Sequence, residues 1–86
     1  MEIILSPKAI ADMEYWKRTN NLVIQKRITQ LKNAILENPY KGIGKPEPLK
    51  HQLAGRWSRR IDKANRFIYK IQNNQLHVLS LKGHYL

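Results

Sequence analysis

The chain of 86 residues contains no cysteine, which excludes disulfide bonds and metal sites built on thiolates. It also has no stretch of about 18 apolar residues, so we expect no helix that crosses a membrane. The first 13 residues carry an acid at position 2 and no basic cluster, which is unlike a signal peptide. These absences favour a single cytoplasmic domain, with no membrane partner.

Acidic residues are scarce, with six Asp and Glu against sixteen Lys and Arg and a net charge of +10. A balance of this kind favours nucleic acid or an acidic protein as the partner. The excess is concentrated in residues 45–70, which hold eight basic and two acidic residues, a difference of +6. This window is either a phosphate-binding face or the solvated side of a sheet.

The hydrophobic pattern predicts one order of helices and strands. Residues 2–5 form a short strand, and Ser6 before Pro7 caps a helix that runs to about residue 18. A second helix over 21–37 follows from an apolar stripe at helical spacing, and Asn73-Asn74 indicates a tight turn. Alternation over 56–62, 66–71 and 75–81 predicts three strands. The order β-α-α-β-β-β is typical of an α+β domain with both helices on one face of a small antiparallel sheet, leaving the other face for polar groups.

The stretch GKPEPLKH places Glu47 between two prolines and near Lys45 and Lys50. RNA cleavage needs a base for the 2′-hydroxyl, an acid for the departing 5′-oxygen and cations for the phosphorane. Nearby cations favour the ionised form of a carboxylate, and a histidine donates a proton near neutral pH, so Glu47 and His84 fit the base and the acid. The alternative is that Glu47 forms only a salt bridge with Lys45 or Lys50.

Aromatic residues accompany the basic strands, as is typical of RNA-binding sheets. Phe67 and Tyr69 alternate with charged residues and are interpreted as core, whereas Tyr85 belongs either to a site or to a frayed end. A non-catalytic module that binds RNA or the ribosome would explain the same charge. A repressor that binds DNA through the helical hairpin is disfavoured, because the basic segment lies in the sheet. No spacing typical of a metal site occurs, so no cofactor is expected.

Three internal segments, GIGKPEPLKH at 42–51, GRWSRRI at 55–61 and RFIY at 66–69, together with the closing HY at 84–85, resemble the YoeB/Txe toxins of the RelE superfamily. The resemblance covers the whole chain. It implies the toxin of a type II toxin–antitoxin pair, with a microbial RNase-like α+β fold. It also implies an endoribonuclease that cleaves mRNA in the ribosomal A site without a metal. Leu86 is a departure, because family members usually end at or near the tyrosine.

The resemblance also implies a role for each site residue. Glu47 is the general base, His84 the general acid, and Arg66 stabilises the transition state. The substrate-binding residues are Lys50, His51, Arg60 and Tyr85. His77 matches no site residue and is assigned a structural role. The implied partners are an acidic antitoxin of the YefM/Axe type, the ribosome and its mRNA, operator DNA through the antitoxin complex, and a second copy of the chain as a homodimer.

Overall fold

The computed structural model describes residues 1–84, and Tyr85 and Leu86 lie outside the described residues. The elements in chain order are β1 (Glu2–Leu5), α1 (Pro7–Arg18), α2 (Leu22–Glu37), β2 (Glu47–Pro48), β3 (Trp57–Arg60), β4 (Arg66–Gln72) and β5 (Gln75–Ser80). One turn of 3₁₀ helix, His51–Leu53, separates β2 from β3. The order agrees with the prediction, and the two-residue strand β2 is an addition to it.

The strands form one sheet in the order β1-β5-β4-β3-β2. Strands β2 to β5 pair with their neighbours antiparallel, whereas β1 pairs with β5 in parallel. A parallel pair needs a long connection, which the two helices and the remaining strands supply here. The predicted α+β class is confirmed, and the sheet is mixed rather than wholly antiparallel.

Both predicted helix starts are confirmed by hydrogen bonds. The side chain of Ser6 accepts from the backbone N–H of Ala9 at 3.0 Å, and that of Asn21 accepts from the N–H of Ile24 at 3.1 Å. These side chains satisfy backbone donors that have no partner inside the helix. Asn73 and Asn74 have φ of 53° and 56°, as the predicted turn between β4 and β5 requires.

The core lies between the helices and the sheet. The predicted stripe of α2 is buried, and so are Phe67 and Tyr69, which confirms the core interpretation of these two aromatics. The apolar spacing of the sequence places Ile10 with Ala9 and Trp16 in the core stripe of α1, whereas Ile10 is 45% exposed and Asp12 is buried. The buried face of α1 passes through Ala9, Asp12 and Trp16 at intervals of three and four residues, which turns Ile10 away from the core. Neither helix of residues 1–84 is both long and apolar enough to span a bilayer.

The face of the sheet opposite the helices is only partly open. Ser58 and Ile68 alternate with core residues and therefore point to this second face, yet they are 2% and 6% exposed. Leu53 of the 3₁₀ turn lines a cleft together with Ile68. The segment between β2 and β3 therefore shields part of the face that the sequence predicts to be available for polar groups.

Candidate active site

Glu47 begins the edge strand β2 and is held by its neighbours in the chain. Pro46 and Pro48 fix their own φ, and the edge position tolerates Pro48 because only one side of the strand is paired. Glu47 lies opposite Ser58 of β3. Its side chain is exposed, and within residues 1–84 the one ion pair is that of Lys8 with Asp12. The ion pair of Glu47 with Lys45 or Lys50, which was the alternative interpretation, is therefore not formed.

The register of the sheet places Glu47 and Arg66 on the same face. Glu47 is opposite Ser58, Ser58 is opposite Ile68, and Arg66 precedes Ile68 by two residues on β4. Opposite residues and residues two apart share a face. Strand spacing and rise per residue put the Cα atoms of Glu47 and Arg66 about 12 Å apart. Two long side chains can span that distance around a phosphate. Arg60, directly opposite Arg66, adds a second guanidinium to this face.

Arg66 is held by the turn between β3 and β4. It is 9% exposed, and its Nη1 donates to the backbone carbonyls of Asp62, Lys63 and Asn65 at 2.7, 3.2 and 3.2 Å. The carboxylate of Asp62 closes the same turn by accepting from the backbone N–H groups of Ala64 and Asn65. Arg66 is therefore a fixed cation, in contrast to a lysine on a flexible surface segment.

His84 lies close to the start of β4. The backbone N–H of Arg66 donates to the carbonyl of Gly83 at 3.0 Å, and the N–H of Gly83 donates to Asn65 Oδ1 at 2.8 Å. His84 follows directly and lines a cleft with Arg56 and Leu53. These contacts bring the end of the described chain beside the backbone of Arg66 at the start of β4.

Four of the predicted residues line two neighbouring clefts. One is lined by Glu47, Lys50 and His51, the other by His84, and Leu53 lines both. His51 has φ of 58°, an uncommon conformation for a residue other than glycine and one that recurs at functional sites. Tyr85 lies outside the described residues. The structure thus places Glu47, Lys50, His51, Arg60, Arg66 and His84 on or beside one face of the sheet.

His77 lies apart from this group. It is on β5, three strands from Glu47, opposite Lys70 of β4 and Ile4 of β1. Its Nε2 is buried and has no hydrogen-bond partner within the part of the chain that the structure describes. His77 therefore lies outside the candidate site. Within residues 1–84, no three His, Cys, Asp or Glu residues are grouped as a metal site would require.

Arg59 has a buried role that the charge pattern of residues 45–70 does not predict, because that pattern indicates a basic surface. It is fully buried, and its guanidinium donates to the carbonyls of Asn38, Lys41 and Ile43 at 2.7, 3.0 and 3.1 Å. These carbonyls belong to the segment that leads from α2 to Glu47. The signal was present, because alternation places Arg59 between Trp57 and Ile61 on the core face.

Tyr69 completes this buried group. Its hydroxyl donates to the carbonyl of Pro39 at 2.6 Å and accepts from Arg59 Nε at 3.2 Å. Burial raises the pKa of Tyr69 above its ordinary value of 10.0, and the hydrogen bond and charge of Arg59 act in the opposite direction. The phenol is therefore neutral at physiological pH and keeps the proton that it donates to the carbonyl of Pro39. The pair fixes the path of the segment at 38–44 over the edge of the sheet.

The family model of the "YoeB-like toxin of bacterial type II toxin-antitoxin system" matches residues 5–85 of the chain. Among individual relatives, the chain is 41% identical over 85 residues to Toxin YoeB of Streptomyces coelicolor, covering 99% of this chain and 100% of the relative. It is 38% identical over 85 residues to Toxin YoeB of Escherichia coli K12, with the same coverage.

Solved structures agree with these matches. The YoeB/ParE toxin from Agrobacterium tumefaciens superposes with a TM-score of 0.95 at 36% identity, covering 99% of this chain and 100% of the other. A YoeB–YefM complex and a YoeB dimer from Staphylococcus aureus each superpose at 0.89, at 40% and 38% identity, covering 99% of this chain and 98% of the other. The chain therefore belongs to the YoeB-like toxins of bacterial type II toxin–antitoxin systems.

Proposed function

We propose that this toxin is an endoribonuclease that cleaves mRNA at the A-site codon of the ribosome and so stops translation. The observation that supports this most is the placement of Glu47. An exposed carboxylate without an ion pair among residues 1–84 lies on the same face as Arg66 and Arg60. A surface that only binds phosphate gains nothing from an acid at this place, whereas a surface that cleaves RNA needs a base beside its cations.

The reaction is a transfer within the RNA backbone. Glu47 takes the proton of the 2′-hydroxyl, and the 2′-oxygen forms a bond to the adjacent phosphorus. The bond from phosphorus to the 5′-oxygen breaks as His84 gives that oxygen a proton. The products are a 2′,3′-cyclic phosphate and a free 5′-hydroxyl, with no water consumed. Arg66 stabilises the extra negative charge on the phosphorane because its guanidinium is held in place before the reaction begins.

The remaining predicted residues bind the substrate. Lys50 and His51 line the cleft that contains Glu47, where they can contact the phosphates on either side of the scissile bond. Arg60 extends the cationic surface beside Arg66. Tyr85 orients or stacks against the base next to the cleavage point. The bond-making steps call on no metal ion.

The same basic surface supports a protein partner. A net charge of +10 favours an acidic antitoxin of the YefM/Axe type, and the Staphylococcus aureus relative is found in a YoeB–YefM complex. We infer that the antitoxin blocks the site in the cytoplasm and carries the complex to operator DNA. The dimer of the Staphylococcus aureus relative supports a homodimer for this chain as well.

The test is primer extension on mRNA held in a translation-initiation complex with a defined A-site codon. We expect wild-type protein to cut within that codon, and Glu47→Ala and His84→Ala each to slow the cut by on the order of 100-fold or more, the usual contribution of an acid or base. Glu37→Ala is the matched control, because Glu37 is an exposed carboxylate at the end of α2. It should cleave at the wild-type rate.

Ribosome binding is measured for the same proteins by co-sedimentation. Glu47→Ala and His84→Ala should bind about as well as wild type, because both side chains are exposed, so the fold is kept, and neither change removes a lysine or arginine of the basic surface. Intact mRNA with a wild-type protein that binds the ribosome tightly would refute the proposal. The chain would then be the non-catalytic RNA- or ribosome-binding module.

A further inference from the structure

Helix α1 holds the segment that leads to His84. Asp12 Oδ2 accepts from the backbone N–H of Leu81 at 2.9 Å, and Trp16 Nε1 donates to the carbonyl of Leu81 at 2.9 Å. Both bonds are buried, and Asp12 and Trp16 are 8% and 6% exposed. Two side chains of α1 therefore bind the backbone N–H and the backbone carbonyl of one residue, Leu81, just after β5 ends.

Lys8 extends this contact toward solvent. Its Nζ donates to Asp12 Oδ2 at 2.7 Å, to Ser80 Oγ at 3.0 Å and to the carbonyl of Lys82 at 3.1 Å. Lys8 thus joins the buried carboxylate to the chain on either side of Leu81. The side chain of Asp12 is 11% exposed and that of Lys8 58%, so the pair is partly shielded from water.

The opposite side of this segment is attached to the sheet. Gly83 accepts from the backbone N–H of Arg66 and donates to Asn65 Oδ1. Residues 80–83 are therefore held by α1 on one side and by the turn before β4 on the other. His84 is the next residue, so the position of its imidazole relative to Arg66 depends on these contacts.

We propose that Asp12 and Lys8 are positioning residues for His84 in proton donation to the 5′-oxygen, an inference that rests on the function proposed above. Burying a carboxylate is costly unless it is paired and hydrogen-bonded. Asp12 is the one buried acid within residues 1–84 of a chain that has only six acids in all. Its partners are the segment that carries His84 and the lysine that contacts the same segment. If Asp12 serves to position His84, both of its hydrogen bonds are explained. Core packing alone would favour an apolar side chain at this position.

The test separates proton donation from every other step. An mRNA whose scissile 5′-oxygen is replaced by sulfur has a leaving thiolate that needs no proton, because thiols ionise near pH 8.5. Loss of the general acid therefore slows cleavage of the oxygen substrate and not of the sulfur substrate. Loss of the base, as in Glu47→Ala, slows both. Single-turnover rates are measured on ribosome complexes with each substrate.

Two variants probe the contact, and one serves as the control. A displacement of about 1 Å at a reacting group costs on the order of 100-fold, so we expect Asp12→Ala to cleave the oxygen substrate about 10- to 100-fold more slowly and Lys8→Ala about 3- to 10-fold. Both should cleave the sulfur substrate within about threefold of wild type, since no proton is needed there. Glu14→Ala, at an exposed carboxylate of the same helix, should cleave both at the wild-type rate.

Lys8→Ala keeps the test decisive if Asp12→Ala fails to fold, because Lys8 is mostly exposed. Equal slowing of both substrates by a folded Lys8 or Asp12 variant would overturn the inference, as would an unchanged rate on the oxygen substrate. The His84→Ala variant shows whether a failure concerns only the role of Asp12 and Lys8 or also the proposed role of His84. If sulfur restores cleavage by His84→Ala and not by the Asp12 and Lys8 variants, the inference alone fails. If sulfur does not restore His84→Ala, the proposed role of His84 fails as well.

Discussion

Replacing Tyr69 by Phe removes one oxygen atom from the buried group that holds the segment at 38–44. The ring keeps its edge-to-face contact with Phe67, whose centroid is 5.9 Å away. The hydroxyl is lost, and with it the donor to the Pro39 carbonyl and the acceptor for Arg59 Nε. Tyr69→Phe therefore tests the hydrogen bonds separately from the packing.

The expected loss of stability follows from those two bonds. A neutral hydrogen bond contributes about 1 kcal/mol and one to a charged group about 1.5–3 kcal/mol, so Tyr69→Phe should lower the free energy of unfolding by about 2–4 kcal/mol. Tyr69 and Arg59 are both fully buried, so water cannot replace the lost partner. Small domains are stable by only about 5–15 kcal/mol, so the change is a large fraction of the total.

Urea unfolding at pH 7 measures this loss. With a slope near 1 kcal/mol/M, typical of small proteins, the midpoint should fall by about 2 M or more while the slope stays the same. Tyr40→Phe is the matched control, because Tyr40 is 48% exposed and its ring contacts that of Trp57 at a tilted angle of 47°. It should change the midpoint by much less.

The pH dependence supplies a second, independent measurement. Burial raises the pKa of Tyr69 in the folded protein above the 10.0 of the unfolded chain. Below pH 10 the phenol is neutral in both states, and its contribution to stability is fully present. Above pH 10 the unfolded state ionises first, so that contribution falls by up to about 1.4 kcal/mol per pH unit until the folded pKa is reached. The stability difference between wild type and Tyr69→Phe should therefore narrow above pH 10.

Two results would refute this reasoning. A stability loss below about 0.5 kcal/mol at pH 7 would mean that the hydroxyl bonds contribute no more than those of a surface residue. A difference between wild type and Tyr69→Phe that stays constant from pH 7 to pH 11 would mean that the phenol ionises equally in both states.

Gly44→Ala and Gly55→Ala form a matched pair, because φ is +85° at Gly44 and +91° at Gly55. Each substitution should strain the backbone by about 1 kcal/mol or more. Only at Gly44 would the new Cβ meet Leu31 Cδ2, at 2.7 Å. Overpacking should therefore lower the free energy of unfolding of Gly44→Ala by a further amount of about 1–3 kcal/mol, measured by urea unfolding. Equal losses of stability in the two variants would contradict this expectation. In bacteria, inducing the wild-type toxin should arrest growth, and co-expressing the acidic antitoxin from a neighbouring gene should restore it. Arrest that the antitoxin does not relieve would contradict the proposed partnership.

Local sequence signals were sufficient for most of the fold. Ser6 before Pro7, and Asn21 before the stripe of α2, mark helix starts because a cap needs only a side-chain oxygen and the next three residues. The Asn73-Asn74 turn is equally local. The extra strand β2 was not foreseen, because two residues with a proline carry no periodic pattern and pair only when β3 is already in place.

The sequence predicts which residues form the candidate site but not the buried residues that hold them in place. The stretch around Glu47, the strand that begins at Arg66 and the closing His84 are visible as residue types and as a resemblance. The buried roles of Arg59 and Asp12 were missed, because a charged side chain is assigned to the surface unless its partners are known. The carbonyls bound by Arg59 lie 16 to 21 residues away, and the backbone N–H of Leu81 bound by Asp12 lies 69 residues away.

The sequence by itself therefore determined the order of the helices and strands, the core stripe of α2, the basic character of one half of the chain and the kinds of groups available for chemistry. Tertiary structure alone decided that β1 runs parallel to β5, which carbonyls Arg59 binds and that Asp12 is buried against Leu81. The physical reason is the distance along the chain over which each interaction acts. Helix caps, turns and periodicity act over a few residues, whereas strand partners and buried hydrogen bonds join segments that meet only when the chain has folded.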